Sequence, residues 1–170
     1  NQKAIHKPSA QHVLDDDYYK RIEAIQYTMS HDDGKKVDDI NSADVVLLGV
    51  SRTSKTPTSI YLANRGYKTI NIPLVLDQKI PQNLNSNTKA CVIGLVADPQ
   101  RLADIRRNRV AIMNDHQIKD YTNIDFIKKE VDDSKSLFKK NNWPVIDVTR
   151  RSVEETAASI LKIIEIKKHK

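Results

Sequence analysis

The run Val45-Val46-Leu47-Leu48-Gly49-Val50 contains no polar side chain. A strand with one face in water alternates apolar and polar residues. An unbroken apolar run is what a strand buried on both faces requires, and such strands belong to parallel sheets covered by helices. Three further stretches read as strands: Tyr67–Val75, Lys89–Ala97 and Pro144–Val148. Helical patterns lie between them, and the alternation implies crossover connections. The expected fold class is α/β: a parallel sheet of about four strands covered by helices on both faces, like a P-loop NTPase.

The helices carry their own boundary signals. One starts near Asp15, a capping residue, has Tyr18, Ile22, Ile25 and Met29 at helical spacing, and stops around His31-Asp32-Asp33-Gly34. A second runs from about Pro57 to Arg65 and is closed by Gly66; a third opens at Pro99 and reaches about Met113. A fourth, Ile124 to about Lys140, places Ile127, Val131, Ser134 and Phe138 on one face. Ser152 caps the last helix, with Glu155 three residues on completing a capping box. Residues 76–88 read as a loop, and Asn114–Asn123 is polar and reads as a mobile connection. Residues 1–14 are expected to be a linker or leader, and 15–170 a P-loop-containing catalytic domain.

At 170 residues and 39% hydrophobic, the chain can bury a sizeable core and is too apolar for a disordered one. No stretch approaches a membrane span, and no secretory signal is visible, so a cytoplasmic protein is expected, without a membrane partner. The single cysteine, Cys91, sits in an apolar run and reads as a buried strand residue, not as a disulfide or zinc ligand. The net charge of +6 suits a phosphate-rich ligand or an acidic partner. Its basic residues lack the interleaved aromatics of a single-strand binder, so nucleic acid is not the expected ligand. His6, His31, His116 and His169 have no telling neighbours and are expected to be solvent-exposed.

Ligands of open α/β sheets bind at the carboxyl ends of the strands, near the switch in strand order. Three such ends carry chemistry here: the loops from Gly49, from Asp98 and from Thr149, which should face one another. The first, Gly49-Val50-Ser51-Arg52-Thr53-Ser54-Lys55-Thr56, keeps the first Gly, the Lys and the Thr of the pattern G-x-x-x-x-G-K-[ST] in the strand–loop–helix context that pattern needs. Backbone N–H groups and a helix N-terminus would cradle phosphates, Lys55 would reach the terminal ones, and the Thr56 hydroxyl would bind Mg²⁺. Arg52 favours an anion. Ser54 replaces the second glycine and accepts positive φ less readily, so a departure from the usual winding is expected.

These residues resemble a known family. Ala43 through Pro57, with Ser before the Lys, is similar to the signature of the regulatory proteins of pyruvate, phosphate dikinase and phosphoenolpyruvate synthase. The likeness extends to His12 through Ile25, Asp32-Asp33-Gly34, Val92 through Leu95, the pair Arg106 and Arg109, and Pro144 through Thr149. It implies a bifunctional enzyme. In one direction the β-phosphoryl of ADP passes to a threonine of the target, releasing AMP; in the other, inorganic phosphate removes it as pyrophosphate. The implied partners are the dikinase or the synthase, and a homodimer is left open. Members usually carry a further N-terminal domain of about a hundred residues, so the chain is expected to correspond to the C-terminal catalytic part.

On this reading Asp32 or Asp33 orients or deprotonates the acceptor threonine. Arg106 and Arg109, three apart on one helix, are expected to clamp phosphate and to bear on it more than on stability. Asp98 is a candidate Mg²⁺ residue with Thr56, or the cap of the helix that Pro99 opens. Two alternatives remain: a P-loop kinase of a small metabolite, and a nucleotide-binding module without catalysis.

Overall fold

The computed structural model describes residues 16–34, 39–75, 80–81, 84, 89–113 and 119–168. Its centre is a four-stranded, wholly parallel sheet in the order β2-β1-β3-β4. The strands are β1 (Val45–Gly49), β2 (Thr69–Pro73), β3 (Cys91–Val96) and β4 (Val145–Asp147). All five residues of β1 are buried, as the unbroken apolar run requires. The helices are α1 (Asp16–Ser30), α2 (Lys55–Ala63), α3 (Pro99–Met113), α4 (Lys119–Thr122), α5 (Ile124–Lys140) and α6 (Val153–Lys168).

Alternate residues of the strands feed two cores. Val46 and Leu48, with Ile70, Ile72, Val92 and Val96, pack with Phe138 of α5. Val45 and Leu47, with Cys91, Ile93, Leu95 and Ile146, pack with Leu62 of α2 and Ala157, Ile160 and Ile164 of α6. Both faces are therefore covered. The close seat of α5 depends on Gly94, where a Cβ would lie 2.4 Å from the Phe138 ring. Ile127, Val131, Ser134 and Phe138 are the buried residues of α5, and Ser152 and Glu155 make the reciprocal capping bonds of α6. Cys91 is buried, and burial pushes its thiol pKa up.

Chain order places β2 on one side of β1 and β3 on the other. The strand order thus switches at β1 and β3, and their carboxyl ends open the crevice where ligands of such sheets bind.

Several expectations are corrected. In α1 the buried residues are Ala24 and Thr28, while Tyr18, Ile22 and Met29 are exposed. Small residues let this helix lie against the sheet edge, where Thr28 Oγ1 accepts a bond from the Thr69 N–H at 3.0 Å. The connection expected to be mobile contains α4 at its end, while its residues 114–118 lie outside the described residues. His31 is buried: its ring stacks on Tyr27, with Nδ1 2.7 Å from the Tyr27 carbonyl. Strand and helix ends shift by one or two residues, which is ordinary at termini; β2 stops at Pro73, paired with the last residue of β1, Gly49. Residues 1–14, Asp15, His6, His116 and His169 lie outside the described residues. Among the described residues no helix is long and apolar enough to cross a membrane.

Candidate functional site

The loop from Gly49 to Thr56 connects the central strand to α2. A Cβ at Gly49 would lie 2.7 Å from both the Leu95 carbonyl and Thr53 Oγ1, so a residue without one is needed where β1 turns out of the sheet. Beyond it Arg52 and Ser54 have left-handed backbones, with φ of 73° and 57°. Turns with left-handed residues form anion-binding concavities. The second glycine position of the phosphate-loop pattern is thus held in positive φ by a serine, at a cost of about 1–2 kcal/mol.

Internal bonds hold that winding. The Val50 carbonyl accepts from Thr53 Oγ1 at 2.9 Å and from Lys55 Nζ at 3.0 Å. The Ser51 carbonyl accepts from Arg106 Nη2 at 3.2 Å, and the Tyr121 hydroxyl lies 3.2 Å from Ser51 Oγ and 3.1 Å from Arg52 Nε. Arg106 is fully buried: Nη1 donates to Glu130 at 2.7 Å and to the Tyr121 carbonyl at 3.2 Å, and the guanidinium stacks over the Tyr121 ring. Arg109 is exposed on the same helix. The two arginines therefore do not form a clamp. Arg106 braces the loop from below through the Ser51 carbonyl.

Lys55 is buried in the loop's interior. Desolvation lowers its pKa from 10.5 to about 8, helped by Arg106 and Arg52 and opposed by Asp33 and Asp32. A cation held dry beside a concavity of N–H groups favours an anion there.

On the β2 side, Asp32-Asp33-Gly34 forms a 3-10 turn in which Asp33 has φ 54°. Asp32 Oδ1 accepts from Thr56 Oγ1 at 3.1 Å and from Asn71 Nδ2 at 2.6 Å, and Asn71 Nδ2 also lies 2.8 Å from Thr56 Oγ1. Asp33, by contrast, lines a cavity of about 360 Å³ with Ser51, Arg52, Ser54, Lys55, Thr56, Pro57, Pro73 and Ile105. Of the two adjacent carboxylates, one is tied to the Thr56 hydroxyl and the other opens onto the cavity.

A second cavity, of about 1210 Å³, adjoins the first, sharing Arg52, Ser54 and Ile105. It is lined by Asp98, Arg101, Thr149, Arg150 and Arg151 among others, so the three loops from Gly49, Asp98 and Thr149 do face one another. Asp98 caps α3, its Oδ1 accepting from the Arg101 N–H at 3.0 Å. Thr56 and Asp98 line different cavities, so the expected Mg²⁺ pair is not brought together; the carboxylate joined to Thr56 is Asp32. Among the described residues no group of three or more His, Cys, Asp or Glu can hold a metal ion. The Thr56 hydroxyl and the Asp32 carboxylate are the groups here that could hold a Mg²⁺ brought in with phosphate.

Sequence reasoning missed Asn71, Tyr121 and Glu130. Each left a trace: a lone amide inside an apolar strand, a lone aromatic in a polar connection, and a carboxylate beside the apolar stripe of α5.

The profile of a family described as kinase/pyrophosphorylase matches residues 1–161. A provisionally named pyruvate, phosphate dikinase regulatory protein of Pelagibacter ubique is 62% identical over 170 residues, 99% of this chain and 62% of that protein. Proteins of the same provisional name from Erythrobacter litoralis and Rhizobium meliloti are 51% and 52% identical, over 95% and 92% of this chain and 58% of each relative. The chain spans about three fifths of the length of these relatives.

Proposed function

The chain belongs to the kinase/pyrophosphorylase family, and from that premise we propose that it regulates pyruvate, phosphate dikinase by reversible phosphorylation of a threonine. In the forward direction the threonine oxygen attacks the β-phosphorus of ADP. The new P–O bond forms as the bond to the α-phosphate oxygen breaks, AMP leaves, and the hydroxyl proton passes to a carboxylate. In reverse, a phosphate oxygen attacks the phosphothreonine phosphorus, pyrophosphate leaves, and the threonine oxygen recovers a proton. The provisional names of the relatives favour the dikinase over the synthase as target.

The observation that carries this reading is the cavity that joins Lys55 to Asp33. A buried ammonium and the loop N–H groups suit the transferred phosphoryl, and a carboxylate on the cavity with no hydrogen bond among the described residues suits the acceptor proton. Asp33 is therefore read as the base. Asp32 holds Thr56, which with water would hold Mg²⁺; bound there, the ion would neutralise charge on the phosphates. The adjoining cavity, with Arg52 at its border, gives the remainder of the nucleotide a place to lie.

The test uses the chain with purified dikinase and labelled ADP or ATP. Phosphothreonine and AMP from ADP, and pyrophosphate when phosphate is added to the phosphorylated target, are the expected products. Efficient donation from ATP would refute the ADP reading. Transfer to a small metabolite with none to the dikinase would favour a metabolite kinase.

A further inference from the structure

β2 reads Thr69-Ile70-Asn71-Ile72-Pro73, with an asparagine at its centre. Asparagine is depleted in strands, and this one is buried at 1% exposure in register with Leu47 of the central strand. Its one donor nitrogen serves two site residues, at 2.6 Å from Asp32 Oδ1 and 2.8 Å from Thr56 Oγ1. Its Oδ1 is buried and has no hydrogen-bond partner among the described residues. Its donor is committed to two side chains of the candidate site.

The hydroxyl chemistry says what the arrangement achieves. Thr56 Oγ1 has one proton and two lone pairs. The proton goes to Asp32, and one lone pair faces the Asn71 amide. The remaining lone pair is left for an electrophile on the cavity side, where Thr56 contributes to the lining. Without the amide, the hydroxyl could rotate, and Asp32 would lose its shorter bond. Flipping the amide would set its oxygen against the Asp32 carboxylate, so the orientation is fixed by charge.

We propose that Asn71 is a positioning residue for the phosphate site: its buried amide locks the Asp32–Thr56 pair so that Thr56 presents a lone pair to a divalent cation carried in with the nucleotide phosphates. This rests on the nucleotide reading given above. Partners that orient a cation ligand typically matter 10–100-fold in cation affinity.

The experiment measures ADP binding by calorimetry, with Mg²⁺ and with EDTA, for the wild type and for Asn71→Leu and Asn71→Thr. Leucine keeps the volume and removes both donor bonds. Threonine suits a strand and can restore one. The wild type should bind ADP more tightly with Mg²⁺. In Asn71→Leu that advantage should shrink by about tenfold or more while affinity in EDTA stays within about twofold, and Asn71→Thr should lie between. A general loosening of the fold would weaken binding in both buffers alike, and would refute the positioning role. So would an unchanged Mg²⁺ advantage in either folded variant. A wild type that binds no ADP in either buffer would instead refute the nucleotide reading, and this inference with it.

Discussion

Arg106 and Glu130 meet at 2.7 Å beneath the Gly49–Thr56 loop, with side-chain exposures of 1% and 11%. Arg106 also holds the Ser51 carbonyl, so the ion pair couples α3 and α5 to the winding of the loop. Removing one member of a buried pair leaves an uncompensated charge, typically costing about 3–5 kcal/mol. In a chain of this size Arg106→Gln should lower Tm by about 10 °C. Arg109→Gln, on an exposed position, should move it by no more than a degree or two. Joint replacement by Arg106→Met and Glu130→Leu should recover much of the loss. Thermal melts of the four proteins check this; equal melting of Arg106→Gln and wild type would contradict it.

The Lys55 ammonium is stable in the folded chain only below about pH 8, whereas unfolded it keeps its proton to about 10.5. Between those values the unfolded state binds more protons, so stability should rise with pH; below pH 8 the full desolvation penalty stands, on the order of 3 kcal/mol. Lys55→Met should therefore melt no lower than wild type at pH 7, despite losing its bond to Val50, and should lack that rise. On the proposed function, nucleotide binding needs the charged form. Lys55→Met should weaken ADP affinity at least tenfold, the scale of a charge-assisted bond. In the wild type above pH 8, binding should take up a proton, visible as a buffer-dependent calorimetric enthalpy.

The sheet was legible because it rests on a local rule: the β1 run has no polar side chain to put in water. The strand–loop–helix setting of Gly49–Thr56 was legible too, since the apolar run ends at that loop and Pro57 lies in the first turn of the helix after it. The brace was not legible. Arg106, Tyr121 and Glu130 lie on three separate helices, and a guanidinium bound for burial has the same letter as one on the surface. Asn71 announced its oddity but not its partners, since Asp32 and Thr56 reach it only through the parallel pairing of β2 on β1. Asp98 stood open between a cation residue and a helix cap, and the structure bears out the cap that the following proline signals.

Ser54 sits at φ 57°, which a glycine adopts without strain. Ser54→Gly relieves that strain but frees the unfolded chain, so the two effects oppose and stability should change by less than about 1 kcal/mol. ADP binding should persist. Ser54→Val, β-branched in a left-handed position, should cost more than 1 kcal/mol and disturb the loop. Chemical denaturation with parallel ADP titration checks both. Valine tolerated without loss would mean that the loop is not wound as described.

Asp32 and Asp33 are neighbours in sequence with different surroundings, and this separates their expected effects. Asp33→Asn keeps a side chain that tolerates the left-handed backbone, so the turn should survive. It removes the carboxylate that faces the cavity and leaves the Asp32–Thr56–Asn71 bonds intact. Transfer to the dikinase should slow by about 100-fold or more, the usual range for a lost general base. Phosphate-driven release of pyrophosphate should slow as well, because the same group must return the proton to the threonine oxygen. ADP affinity should hold or tighten at pH 7, since a negative charge near the phosphates has gone. Asp32→Asn should behave differently: the Thr56 and Asn71 donors lose a charged acceptor, and the loss should appear in Mg²⁺-dependent binding before it appears in the rate of the bound complex. Single-turnover rates at saturating ADP, set beside binding constants, separate the two. If Asp33→Asn turned over normally while Asp32→Asn did not, the assignment of the base would be reversed.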